Sequence, residues 1–188
     1  MNRCRYPVSV HVVRHHVRAW VALLLVLVAG VAMAASTPRL ELQAGQSYKS
    51  AKGSPAMAVF VEGIFAEHSI GSTRFTWAPD VAAGWIDGRN ESHYRHVRYT
   101  TADHIWLLAA GARFRYGSHD NWYHHLFFSF QPALHTGRTR ALSSAYEFVS
   151  TLGWQARRFS VQIRHISNGS LHEPNCGETM LLLGVRPH

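Results

Sequence analysis

A histidine and a serine near the end of the chain share one face of a predicted strand, and this pair could carry out nucleophilic chemistry. In the run 159–168 the side chains alternate between two faces, so His165 and Ser167 follow an apolar stripe on one side. A serine hydroxyl becomes a nucleophile when a neighbouring imidazole accepts its proton. Because the pair lies at the end of an apolar stripe, the pattern indicates chemistry on a hydrophobic substrate.

A third group must hold the imidazole ring, and Glu178 is the candidate. Residues 168–177 are expected to close a hairpin, so that the next strand begins at Glu178, beside the end that carries Ser167. Cross-strand neighbours on one face come within about 5 Å, which would bring the carboxylate to His165. Serine and histidine can also end a strand merely as polar caps, and this alternative stays open.

The first 34 residues have the features of a secretory signal peptide. Four arginines and no acidic residue accompany the apolar run 19–31, and residues 32–34 form a small-x-small cleavage site. The apolar run is shorter than the roughly 20 residues of a membrane-spanning helix, which favours a cleaved signal over an anchor. The sequence therefore predicts a signal peptide at 1–34 and one mature domain at 35–188.

The charge and cysteine content bear on whether the protein binds nucleic acid and whether it contains a disulfide. The formal net charge is +8, but the predicted signal holds four of the basic residues and none of the acidic ones, so the mature domain carries about +4. This modest excess is no sign of nucleic-acid binding and suits an anionic lipid surface only weakly. Cys4 lies in the signal and Cys176 stands alone in the mature part, which leaves no pair for a disulfide.

Alternating segments of roughly ten residues recur along the mature chain, broken by Gly, Ser, Asn and Asp. We predict about eight strands, at 40–49, 57–65, 74–85, 106–116, 122–131, 146–155, 159–168 and 180–185. No stretch beyond the signal reaches 18 apolar residues, so no internal spanning helix is expected.

Eight alternating strands of this length fit the smallest membrane barrels, in which apolar residues face lipid and polar residues face the lumen. The predicted fold class is all-β, an eight-stranded antiparallel transmembrane β-barrel. The polar faces carry Arg113, Arg115, Glu147 and Arg164, which could pair in a narrow lumen. A soluble lipocalin-like carrier, with its apolar face inside, and a non-enzymatic anchor or adhesion barrel are the alternatives.

The run HISNG at 165–169, followed by PNCGE at 174–178 and a short final strand, resembles the lipid A 3-O-deacylases of the PagL type. The resemblance implies an eight-stranded outer-membrane barrel that hydrolyses the ester at the 3 position of lipid A and releases a 3-hydroxy fatty acid. It assigns the nucleophile to Ser167, the base to His165 and the orienting carboxylate to Glu178. The reaction that the resemblance implies requires no metal or cofactor.

The chain departs from the family pattern at two places near the site. Counting forward from Ser167 puts the glutamate position at Thr179, whereas counting back from the C-terminus gives Glu178, and a one-residue loop deletion reconciles the two. Gly169-Ser170 stands where the family typically has Ala-Gly. The tetrahedral oxyanion needs hydrogen-bond donors, and the nearest candidates in sequence are the amides of Asn168, Gly169 and Asn175.

The expected partners are lipid A, as part of lipopolysaccharide, and the lipid of the outer membrane, and no nucleic acid. The oligomeric state stays open, a homodimer included. Arg164 and Arg186 are interpreted either as ligands of lipid phosphates or as lumenal residues that pair with Glu147. Cys176 could pair with His165 as a nucleophile but is interpreted as a bystander.

Histidine pairs elsewhere are not interpreted as metal sites. The pairs are His93/His96 and His124/His125. Adjacent histidines on a strand face opposite sides, and a two-histidine set lacks the further ligands of a zinc site.

Overall fold

The computed structural model describes residues 37–48, 55–88, 102–118, 120–139, 141–169, 171, 175 and 177–187. The predicted signal peptide, Cys176 and the His93/His96 pair lie outside these residues. The strands are β1 (Arg39–Tyr48), β2 (Ala56–Ile64), β3 (His68–Ser69), β4 (Phe75–Asp87), β5 (His104–Tyr116), β6 (Leu126–His135), β7 (Tyr146–Gln155), β8 (Phe159–Ser167) and β9 (Glu178–Val185). No helix in the described part of the chain is long and apolar enough to cross a membrane.

The eight long strands form one closed antiparallel sheet. Neighbours follow the order β2-β1-β9-β8-β7-β6-β5-β4, and β2 pairs with β4 to close the barrel. The two-residue β3 only extends the edge of β4. The predicted eight-stranded antiparallel barrel is therefore confirmed.

One strand start differs from the prediction. Trp122 alternates in sequence with Leu126, yet it lies in a short 3-10 helix, Trp122–His125, and β6 begins only at Leu126. The backbone N–H of His124 donates to the carbonyl of Asn121 over 3.0 Å. This local i to i+3 bond replaces the cross-strand bond that a longer β6 would make at this position.

The two faces of the sheet have opposite character. Large apolar side chains are exposed around the whole outer wall, among them Leu42, Val59, Trp106, Phe128, Leu152, Ile163 and Leu183. An apolar exterior is the arrangement of a membrane barrel. It excludes the lipocalin-like alternative, which would keep this surface inside.

The interior has two layers. Most of the side chains in the half of the barrel near the β8–β9 connection are apolar, among them Phe60, Ile86, Leu142, Ile166 and Leu182, although Glu147 and Glu178 are also buried there. Charged and amide groups fill the other half, where Glu62 accepts hydrogen bonds from Arg113 and Arg164, each at 2.9 Å. Both guanidinium groups in these contacts therefore meet a carboxylate inside a lumen that is filled by side chains.

The connections 49–55, 88–103, 136–145 and 168–177 join strands at one end of the barrel. The opposite end carries the connections 65–74, 117–125 and 156–158 and both ends of the described chain. In outer-membrane barrels the longer loops are extracellular and the short turns are periplasmic. The end with residues 168–177, which we call the loop end, therefore corresponds to the extracellular side.

Candidate active site

A row of polar side chains crosses the outer wall near the loop end. His165 on β8 pairs with Ser150 on β7 and with Thr179 on β9, and Thr179 in turn pairs with Tyr48 on β1. One row closer to the membrane centre on the same outer face, Ile163 lies between Leu152 and Leu181, and all three side chains are exposed. The polar row therefore marks the boundary between an apolar belt and the rim.

The imidazole ring of His165 is held from one side. Its Nδ1 lies 2.9 Å from Oγ1 of Thr179, the residue directly opposite on β9. If Nδ1 carries the proton and donates it to the threonine oxygen, Nε2 is left with a lone pair. That tautomer is the one a general base requires.

Ser167 follows His165 on the outward face of β8 and is half-buried, opposite Phe148 on β7. Within the described part of the chain, His165 and Ser167 share no hydrogen bond. Catalytic hydrogen bonds are often long in the absence of substrate, and side chains two apart on a strand face are close enough for rotation to join them. The structure thus places both predicted residues on one outer face, side by side.

Gly177 fills the space between the two side chains. Its φ of 67° lies in the left-handed region that favours glycine. A Cβ at this position would come within 3.0 Å of His165 Cε1 and 3.2 Å of Ser167 Cβ. His165, Ser167 and Gly177 therefore border one small volume at the outer rim.

The structure corrects the expectation that Glu178 lies beside His165. Glu178 pairs with Ile166, not with His165, and its side chain is buried on the lumenal face, where Ser47 Oγ donates to its carboxylate. Side chains alternate along β9, so the outward place belongs to the next residue, Thr179.

The three oxyanion candidates lie in different environments. Gly169 is exposed, with a φ of 63°, near the ring of Phe148. Asn168 is buried, so its side chain does not face the outer rim. Asn175 directs its side-chain amide to Glu147 in the lumen and accepts the backbone N–H of Gly177 on Oδ1, at 3.0 Å.

Glu147 is a residue whose relation to the site the sequence did not reveal. Its Oε1 accepts hydrogen bonds from Asn175 Nδ2 at 2.6 Å and from Ser144 Oγ at 2.8 Å. Glu147 is fully buried, and His135 Nε2 lies 3.7 Å away. The alternation of β7 predicted that Glu147 faces inward, but only the fold shows that it anchors the connection 168–177.

The two arginines proposed for lipid phosphates both point inward. Arg164 is buried and contacts Glu62 and Thr151, so its partner is Glu62 and not Glu147. Arg186 lies 3.4 Å from Glu41 at the opposite end of the barrel from His165. Neither is placed to bind a phosphate beside the polar row. Among the described residues, no group of three or more His, Cys, Asp or Glu is arranged to hold a metal ion.

Comparisons with known proteins give a family match. The model of the family "Lipid A 3-O-deacylase (PagL)" matches residues 70–186, which is more than half of the chain. The fold is similar to that of the Yersinia pestis outer membrane protein Ail in a phospholipid bilayer nanodisc, with 9% identity, a TM-score of 0.42, and coverage of 80% of this chain and 99% of that one. No curated protein matches the sequence significantly.

Proposed function

The chain belongs to the lipid A 3-O-deacylase (PagL) family, and from this premise we propose that it hydrolyses the ester at the 3 position of lipid A and releases a 3-hydroxy fatty acid. Family membership and the apolar outer wall together identify an outer-membrane barrel, as the sequence predicted. The proposal assigns the ester cleavage to Ser167 and His165.

The position of His165 on the outer wall is the observation that carries the proposal. The imidazole stands one row beyond Ile163, at the edge of the lipid-facing belt and at the loop end. A lipid in the outer leaflet would lay its acyl chains along the belt and its ester near the polar row. The substrate then arrives by lateral diffusion, and no acyl chain has to leave the bilayer.

The proposed reaction has two halves that use the same two side chains. Ser167 Oγ attacks the ester carbonyl carbon while Nε2 of His165 takes the hydroxyl proton. The bond from that carbon to the sugar oxygen then breaks, and the departing oxygen takes the proton from Nε2. A water molecule then attacks the acyl-serine in the same way, with His165 taking and returning the proton. This step frees the fatty acid and restores the hydroxyl of Ser167.

The negative charge on the tetrahedral oxygen requires hydrogen-bond donors. The backbone amides of Asn168 and Gly169 directly follow Ser167, and we assign the oxyanion to them. The side chain of Asn175 is engaged with Glu147, so it is not the donor that we favour. Exposure of Gly169 leaves room for a substrate oxygen beside its backbone.

The test is mass spectrometry of lipid A from cells that express the wild type, Ser167→Ala or His165→Ala. We expect loss of the 3-O-linked acyl chain with the wild type, and a decrease of about 100-fold or more in rate with either variant. His68→Ala and Ser69→Ala are matched controls, because these exposed residues lie on β3 at the opposite end. If both site variants keep full activity, or if the wild type leaves lipid A unchanged, the non-enzymatic barrel becomes the better description.

A further inference from the structure

We propose that the outer wall binds a phospholipid of the periplasmic leaflet, with the phosphate at Arg74 and one acyl chain in a groove between β5 and β6. The site lies at the periplasmic end, opposite the loop end, and uses neither His165 nor Ser167. The inference therefore goes beyond the proposed function and does not depend on it.

The groove forms where β5 and β6 separate before either strand ends. Their pairing stops at Phe114 opposite Phe128, although β5 continues to Tyr116 and β6 begins at Leu126. The pairing of β5 with β4 on its other side, by contrast, continues to Phe75 opposite Tyr116. The short 3-10 helix before β6 takes the place of a tight hairpin that would have kept β5 and β6 together. A gap therefore opens in the wall at this end.

This gap is an apolar groove with a volume of about 460 Å³. The outward side chains of Tyr116, Phe128 and Leu152 line it and are exposed. Phe127, which faces the lumen and is buried, also forms part of the lining, so the groove extends inward beyond the outer row of side chains. Its volume is in the range of roughly 300–1,000 Å³ that is usual for small-molecule sites. A flexible hydrocarbon chain suits this lining.

A second, polar depression of about 400 Å³ lies beside the groove at the rim. Its lining includes Arg74, Thr73, Ser118 and Asn121, and the side chain of Arg74 is exposed. A guanidinium with neighbouring hydroxyl and amide donors is well suited to bind a phosphate. Asp120 in the same connection is exposed, but it is not among the described residues that line the depression.

Tyr123 connects the polar depression to the groove. Its ring lines the groove and stacks on Tyr116 with 5.9 Å between the centroids. The same ring packs on Gly117, which lines the polar depression, so that a Cβ at Gly117 would collide with it. Arg74 and Phe75 are adjacent in sequence, and they line the polar depression and the groove respectively. The two depressions therefore form one continuous site.

The order of the two depressions identifies the occupant as a phospholipid. The cation lies in the turn before β4, the aromatic rings of Phe75 and Tyr116 follow at the level of the interfacial girdle, and Leu152 lies further along the apolar wall. A phospholipid presents its phosphate and its acyl chain in the same order from the membrane surface inward. A second copy of this chain would also present an apolar wall to the groove, so the experiment must distinguish it.

The experiment is native mass spectrometry of the protein, folded in detergent micelles and titrated with dioleoylphosphatidylglycerol. We expect Arg74→Gln to raise the apparent Kd of the first bound lipid about fivefold, because one arginine near a membrane surface contributes about that factor. Arg74→Lys keeps the charge and should recover most of the binding. Arg157→Gln is the matched control and should stay within about twofold of the wild type, since Arg157 is exposed at the same end but outside both depressions.

A second pair of variants tests the groove. Phe128→Trp places a larger ring in the space for the acyl chain, and we expect the apparent Kd to rise about fivefold or more. Leu183→Trp makes a similar change at an exposed apolar residue of β9, outside the groove, and should leave the affinity unchanged. Dioleoylglycerol, which has the same chains but no phosphate, should bind the wild type and Arg74→Gln equally weakly.

Three results would overturn the proposal. Equal affinities in either matched pair, Arg74→Gln with Arg157→Gln or Phe128→Trp with Leu183→Trp, would mean that lipid covers this wall without a specific site. Binding of dioleoylglycerol by the wild type as tightly as the phospholipid would remove the role of Arg74. A mass of two chains without bound lipid would identify a second copy as the occupant. If Phe128→Trp fails to fold, the arginine pair decides, and none of these results depends on deacylation of lipid A.

Discussion

Asn175 joins the loop-end connection to the barrel interior through a single carboxylate, that of Glu147. The amide Nδ2 of Asn175 donates to Glu147 Oε1 over 2.6 Å, while its Oδ1 accepts the backbone N–H of Gly177. Gly177 in turn lies against His165 and Ser167 on the outer wall. A buried carboxylate in the lumen is thus linked through Asn175 to one wall of the site, which the bond from Gly177 N–H to the carbonyl of Ala141 also holds.

Asn175→Ala should therefore lower the activity without unfolding the barrel. The change removes a charge-assisted hydrogen bond from a buried carboxylate, worth about 1–3 kcal/mol, and leaves the N–H of Gly177 with only its bond to the carbonyl of Ala141 among the described residues. We expect kcat/KM to decrease about 10-fold in the lipid A deacylation assay. Asn121→Ala is the matched control, because its side-chain amide bonds to Ser118 near the opposite end, its one such partner among the described residues. Equal rates for both variants would show that the link to Glu147 does not position the site.

Gly177→Ala should be more damaging. The alanine would have to adopt a φ of 67°, which costs roughly 1–2 kcal/mol, and its Cβ would press against His165 Cε1 at 3.0 Å. We expect deacylation to fall at least 10-fold, while heat-modifiable migration in electrophoresis still reports a folded barrel. Gly71→Ala separates the two causes, because Gly71 has a φ of 56° and no atom of the described residues lies within 4 Å of an added Cβ. A similar loss of activity in both variants would contradict the contact with His165.

The sequence predicted the strands well because their signal is local. A period-2 alternation of apolar and polar residues persists through each long strand, and a barrel needs no more than this to place each side chain inside or outside. Trp122 was assigned to a strand because it continues the apolar spacing of Leu126, but local backbone bonds turn the chain there. The pattern could not show this, since a 3-10 turn leaves the apolar spacing unchanged.

The side chain that contacts His165 from β9 could not be predicted, because it depends on a shift of one residue. A one-residue change in register exchanges the two faces of a strand, and Glu178 and Thr179 are adjacent. The register of β9 against β8 turns Glu178 inward and Thr179 outward. Counting forward from Ser167 gives Thr179, and counting back from the C-terminus gives Glu178. Only the observed pairing with His165 distinguishes these two positions.

Removing one partner of the buried ion pairs should destabilise the barrel strongly, because it leaves buried charges unpaired. Glu62 is fully buried and bonds to Arg113 and Arg164 at 2.9 Å each. Glu62→Ala leaves two guanidinium groups without their shared carboxylate, and we expect the free energy of unfolding to decrease by about 3–5 kcal/mol. The measurement is reversible urea unfolding in lipid vesicles. Arg39→Gln, which breaks a more exposed ion pair to Glu67, should change the free energy by about 1 kcal/mol or less. A comparable effect of the two variants would show that the guanidinium groups find other partners or water when Glu62 is removed.

Because the outer wall lies in lipid, a charged substitution on it should lower the free energy of unfolding by an amount that depends on its depth in the membrane. Leu183 is exposed on β9 between Ala44 and Val161, within the apolar belt. Leu183→Arg should decrease the free energy of unfolding by about 2–4 kcal/mol in vesicles, because an arginine deep in the hydrocarbon lacks water and counter-charge. Ile70→Arg, in the turn after β3 at the periplasmic end, should cost about 1 kcal/mol or less, since the side chain reaches the interface. Equal costs at the two positions would mean that this wall faces water or another protein, and the route by which a lipid ester reaches His165 would then need another explanation.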